Sequence, residues 1–123
     1  MKHKGTVWTV GVPKGRERNA DISTQTALTL RSIDERLKQA GTDKGKIIEA
    51  TVFLTNMKEV RSGEIDAMSS ERRTYTVLST SQFKGFDKEW RAWLPEGGAS
   101  RATVGVARLA NNDKVEIKVT AAA

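Results

Sequence analysis

"QTALTLRSIDERLKQAGTDKGKIIEATVFL", residues 25–54, changes its hydrophobic period part-way along, and that change decides the fold. Leu30, Ile33, Leu37 and Ala40, with Ile22 before them and Thr26 between, recur at steps of three and four, which lines one face of a helix. Gly41 follows at the place where a left-handed residue ends a helix. Thr42-Asp43-Lys44 turns the chain, and Ile47 to Leu54, "IIEATVFL", is dense in β-branched residues and suits a central strand.

Working outward, Thr6 to Val10 reads as a half-buried strand closed by Gly11 and Pro13, and Lys14 to Asp21 as a polar loop. Downstream, Phe86, Trp90, Trp93 and Leu94 give a second amphipathic helix, ended by Pro95 and Gly97-Gly98. Two strands complete the chain, Arg101 to Leu109 and Val115 to Thr120. Val115, Ile117 and Val119 share one face of the latter, and Glu116 and Lys118 the other. Asn111-Asn112-Asp113 reads as the hairpin turn joining these strands. Two helices and four strands in a split βαβ order predict an α+β sandwich whose uncovered sheet face needs water or another subunit.

The chain has 123 residues and 37% hydrophobic content, which suits one domain and leaves no room for a second. It has no cysteine, so disulfides and thiolate chemistry are excluded, and its one histidine, His3, leaves no metal constellation. No glycine-rich phosphate loop is present, since Gly97-Gly98 stands alone. The first residues are too quickly broken by Gly11 and Pro13 to form a signal or membrane-spanning segment, so a soluble cytoplasmic protein is expected. The net charge of +6 permits attraction to phosphate-rich partners, but the 21 Lys and Arg are scattered and not clustered. Trp8, Trp90 and Trp93 fit core and interface packing better than a set of base-stacking platforms.

Val60 to Gln82 resembles neither flank. Eight of its 23 residues are Ser or Thr, and no apolar period links it to the strand before or the helix after. Three readings stay open. Valine codons begin with GU and one glutamine codon ends in AG, so the segment's ends are compatible with a translated intron. A surface loop is tolerated because loop-closure cost grows slowly with length. A binding loop is the third.

"QTALTLRSIDERLKQAGTDKGKIIEATVFLTNMKE", Gln25 to Glu59, joined to "FKGFDKEWRAWLPEGGASRATVGVARLANNDKVEIKVTAA", Phe83 to Ala122, resembles the Rid (YjgF) family of enamine and imine deaminases, closest to its YoaB-like subgroup. In that family "TNMKE" is expected to run straight into "FKGFDKEW", which marks residues 60–82 as an insertion. The resemblance implies a mixed β-sheet of the chorismate-mutase-like kind with two helices on one face. It also implies a homotrimer with pockets between subunits, a small imine or enamine substrate, and no cofactor. An earlier strand is expected to hairpin into Thr6 to Val10, and this chain starts at what should be that hairpin's turn; a truncated start would leave room for a mitochondrial segment.

By the same resemblance the pocket arginine falls on Arg101 and the water-positioning glutamate on Glu116, while Gly11 matches a backbone position close to the ligand. Thr103 is the substrate-binding position two residues after the arginine, where the family often has cysteine. The residue types suit the chemistry. A guanidinium clamps a 2-imino acid's carboxylate with two parallel hydrogen bonds, and a carboxylate orients the attacking water and stabilises the iminium charge. Without the resemblance, Arg101 reads as a solvated strand-end arginine and Glu116 with Lys118 as a surface pair. The competing function is a non-catalytic or RNA-directed family member of the endoribonuclease-labelled kind, which the basic balance would help.

Overall fold

The structure is a computed structural model and describes residues 1–13, 20–55, 83–95 and 99–123. Residues 60–82, read above as an insertion, lie outside the described residues, as does most of the loop before the first helix.

The strands are β1 (Lys2–His3), β2 (Thr6–Gly11), β3 (Ile47–Leu54), β4 (Ser100–Gly105) and β5 (Val115–Ala122). The helices are α1 (Ile22–Gln39) and α2, residues 83–93. The strands form one mixed sheet in the order β1-β2-β5-β3-β4, antiparallel throughout except for the parallel pair β3 and β4. This is the expected α+β arrangement, with both helices on one face of the sheet.

Alternation in the strands builds the core. Val7, Ala50, Val52, Leu54, Val115, Ile117 and Val119 all face the helices and are buried against Leu30, Ile33 and Leu37 of α1 and Phe86 and Trp90 of α2. Helix α1 starts on Asp21, whose side chain accepts a hydrogen bond from the Thr24 amide at 2.8 Å. It ends with Gly41 at φ 83°: the Thr42 amide reaches back to the Leu37 carbonyl and the Gly41 amide to that of Lys38, the paired bonds of a Schellman stop. The buried Gln25 ties the start of α1 to the start of β5 by accepting from the Lys114 amide at 2.8 Å.

Helices α1 and α2 run in the same direction. Ser23 Oγ donates to the Gly85 carbonyl at one end, and Trp93 Nε1 donates to Asp34 Oδ2 further along at 2.9 Å. Trp90 and Trp93 are therefore core residues, and only Trp8, 38% exposed, stands on the uncovered face.

Three expectations need correction. Asn111-Asn112-Asp113 does not join a hairpin, because β3 lies between β4 and β5 in the sheet. Asn111 and Asn112 do take left-handed φ values of 60° and 57°, as a hairpin turn would, but they form part of a longer crossing through a 3-10 turn. The strand Arg101 to Leu109 also ends early, at Gly105. At the front, the hairpin turn is Lys4-Gly5, with φ 46° and 81°, so Lys2 and His3 already form a short partner strand opposite Val7 and Thr6. No helix among the described residues is long and apolar enough to cross a membrane.

Candidate functional site

Arg101 sits on the edge strand β4, opposite Ala50, and Thr103 opposite Val52. Ala50 and Val52 face the helices, so Arg101 and Thr103 do as well. The Arg101 guanidinium lies over three rings of α2, with centroids at 5.8 Å for Phe83, 5.3 Å for Phe86 and 5.5 Å for Trp90. Its Nη1 donates to Asp87 Oδ1 at 2.9 Å, and the other Asp87 oxygen accepts from Arg91 Nε at 2.6 Å. The aromatic box and the carboxylate fix the guanidinium plane more firmly than either would alone.

The two ion pairs differ in environment. The Arg101 and Asp87 side chains are 21% and 16% exposed, whereas Arg91 is 78% exposed and its charge is largely shared with water. For Asp87, burial pushes the carboxyl pKa up, but hydrogen bonds and charge from Arg101 and Arg91 outweigh it and hold the group below its ordinary value. Asp87 is thus an anion in place beside Arg101.

A cavity of 330 Å³ opens beside this group, lined by Asp87, Arg91 and Arg101 together with apolar atoms of Trp90, Pro95 and Ala99. A second cavity, of 490 Å³, lies around Lys44, Ile47 and Trp93 and shares the wall formed by Leu94, Pro95 and Ala99. Its charged groups are engaged: Lys44 Nζ stands 5.5 Å over the Trp93 ring, and Asp43 accepts from the Gly45 amide. Of these two cavities, the one beside Arg101 has the chemistry that suits an anionic ligand.

The remaining expected site residues lie elsewhere. Glu116 is paired with Phe53 across β3 and β5, in the alternate set to Val115 and Ile117, and so points to the uncovered face of the sheet. Within one chain, Arg101 and Glu116 are on opposite faces and are not brought together. Gly11 faces α1, where an added Cβ would stand 2.5 Å from Ile33 Cγ1 and 2.9 Å from the Thr29 carbonyl oxygen, so helix packing already requires glycine there. Thr103 Oγ1 is buried and has no hydrogen-bond partner among the described residues. Sequence reasoning missed Asp87. The available signal was its position, one residue after Phe86 and three before Trp90, beside the inward aromatic stripe of α2.

No group of three or more His, Asp or Glu among the described residues could hold a metal ion. The family described as Endoribonuclease L-PSP matches residues 1–71. YoaB of Escherichia coli K12, described as a RutC family protein, is 32% identical over 121 residues, which are 98% of this chain and 84% of YoaB. The chain belongs to the Rid (YjgF) family. Among solved structures, a YjgF-family protein from Neisseria meningitidis matches with a TM-score of 0.71 at 27% identity, covering 98% of this chain and 82% of the other. TdcF of Escherichia coli, solved with bound serine, has the same fold at 22% identity, with a TM-score of 0.71 over all of this chain and 84% of TdcF.

Proposed function

We propose that the protein hydrolyses reactive 2-imino and enamino acids to 2-oxo acids and ammonia, in homotrimers whose sites take Arg101 from one subunit and Glu116 from another. The observation that carries this reading is the placement of the two residues on opposite faces of one sheet, Arg101 facing the helices at the edge and Glu116 on the bare face. A site using both then needs two chains. The exposed apolar side chains of Trp8, Val10 and Val104 give the bare face something to bury on assembly. The serine bound in TdcF carries the carboxylate and the nitrogen-bearing carbon that such a pocket would recognise.

In the proposed reaction Arg101 holds the substrate carboxylate. Glu116 accepts a proton from water as its oxygen bonds to the C=N carbon, and the π electron pair moves to nitrogen. Protonation of that nitrogen, loss of the hydroxyl proton and cleavage of the C–N bond then release ammonia and the 2-oxo acid. No cofactor enters this sequence.

The test is hydrolysis of 2-iminobutanoate or 2-iminopropanoate generated in situ, followed as 2-oxo acid formation. Arg101→Lys keeps the charge but loses the planar fork, so kcat/KM is expected to fall roughly ten- to a hundredfold. Glu116→Gln is expected to lower kcat more than it raises KM. Equal rates in wild type and both variants remove the two residues from the mechanism. The net charge of +6 and the family's endoribonuclease label favour an RNA-directed alternative. That reading requires binding that falls steeply with salt and survives Arg101→Lys.

A further inference from the structure

Arg101 already holds one carboxylate, and the geometry of that contact limits what else it can take. Its single hydrogen bond among the described residues is the one from Nη1 to Asp87. A guanidinium carries five donors, so an edge remains open for one more carboxylate. The three α2 rings prevent the side chain from swinging to offer a second edge. Among the described residues lining the 330 Å³ cavity, the only other cation is Arg91, which also bonds Asp87 and is 78% exposed. Within one chain, a second ligand carboxylate would lie against apolar wall or beside the Asp87 anion, and the Glu116 that the proposed site takes from another subunit adds a further negative charge and no cation.

We infer that Asp87 is a specificity-determining residue, whose negative charge restricts the Arg101 pocket to ligands with one carboxylate and turns away those with two. It acts through Arg101, and the inference rests on the reading of Arg101 as the carboxylate clamp. Dicarboxylic imines of the kind formed from acidic amino acids would be poor substrates, and monocarboxylic ones good.

The test measures binding of two probes of nearly equal size, 2-oxoglutarate and its 5-methyl ester, by calorimetric or NMR titration. Wild type is expected to bind the mono-anionic ester roughly three- to tenfold more tightly than the dianion, the effect of one charge at close range that its arginine partners screen in part. Asp87→Asn keeps the acceptor for Arg101 and removes the charge, and should bring the two affinities close together. Asp87→Glu restores the charge and should restore the preference. A purely structural Asp87 would shift the melting temperature without moving this ratio. Equal affinities in wild type overturn the inference, as does an unchanged ratio in Asp87→Asn. Arg101→Ala separates the two levels: ester binding lost in that variant, with an unmoved ratio in Asp87→Asn, rejects Asp87 alone. Ester binding kept in Arg101→Ala rejects the clamp and the inference together.

Discussion

Asp87 joins Arg101 through Oδ1 at 2.9 Å and Arg91 through Oδ2 at 2.6 Å, so one helix carboxylate anchors the edge strand's arginine to α2. The contact spans the junction of β4 and α2, where the cavity beside Arg101 opens, and it ties the stability of that corner to its chemistry.

This junction should be acid-sensitive. The Asp87 carboxyl is held below the ordinary value of 3.8, so its stabilising contribution is complete above that pH and is lost as pH falls through the lower, folded-state pKa. Urea unfolding of wild type and Asp87→Asn at neutral pH is expected to differ by about 1–2 kcal/mol, mostly from the Arg101 bond because Arg91 is solvent-screened. As pH falls below 3.8 the difference should shrink progressively. A gap that stays constant throughout acidification would mean the carboxylate is not the stabilising group.

Gly11 offers a test of packing against ligand approach. With a Cβ built 2.5 Å from Ile33 Cγ1, Gly11→Ala must push α1 from the sheet and is expected to cost about 1–3 kcal/mol in chemical unfolding. Pairing it with Ile33→Ala, which removes the two clashing side-chain atoms and leaves the Thr29 carbonyl oxygen at 2.9 Å, should make the second substitution cheaper than it is alone, though not free. Additive costs would contradict a direct steric contact.

The elements most legible in the sequence were those whose local signals agree. Helix α1 ends at Gln39, just before the Gly41 stop, and β3 spans Ile47–Leu54 as its β-branched run indicates. The asparagine pair misled because turn chemistry is local, while strand adjacency is decided by the whole sheet: β5 pairs with β2 and β3, and β4 adds in parallel outside β3. For the candidate residues, the sequence showed a face for each one but not their arrangement. Alternation along β4 and β5 gives each side chain a face, but only the sheet order says that the faces of Arg101 and Glu116 are opposite. Asp87 was hidden for a similar reason, since its partner lies 14 residues away, on the strand that follows α2.

Residues 60–82 are proposed to be dispensable. Joining Glu59 directly to Phe83 leaves residues 55–59 between β3 and α2, a connection of the usual length for a strand followed by a helix. The shortened chain is expected to fold with an equal or higher melting temperature, since a shorter loop is less costly to close. A melting temperature lowered by more than a few degrees would assign the segment a structural role.

The measurement that bears most directly on the proposed shared site is subunit complementation. Arg101→Ala and Glu116→Gln chains are each expected to be inactive in imine hydrolysis, because each proposed homotrimer would lack one half of every pocket. Mixed by co-refolding in equal amounts, they should regain activity, since at random assembly roughly a quarter of the interfaces join an intact Arg101 to an intact Glu116. Native mass spectrometry of isotope-labelled chains confirms that mixed oligomers have formed. Mixed oligomers with activity near a quarter of wild type are the predicted result, and mixed oligomers as inactive as their parents would contradict a site shared between subunits.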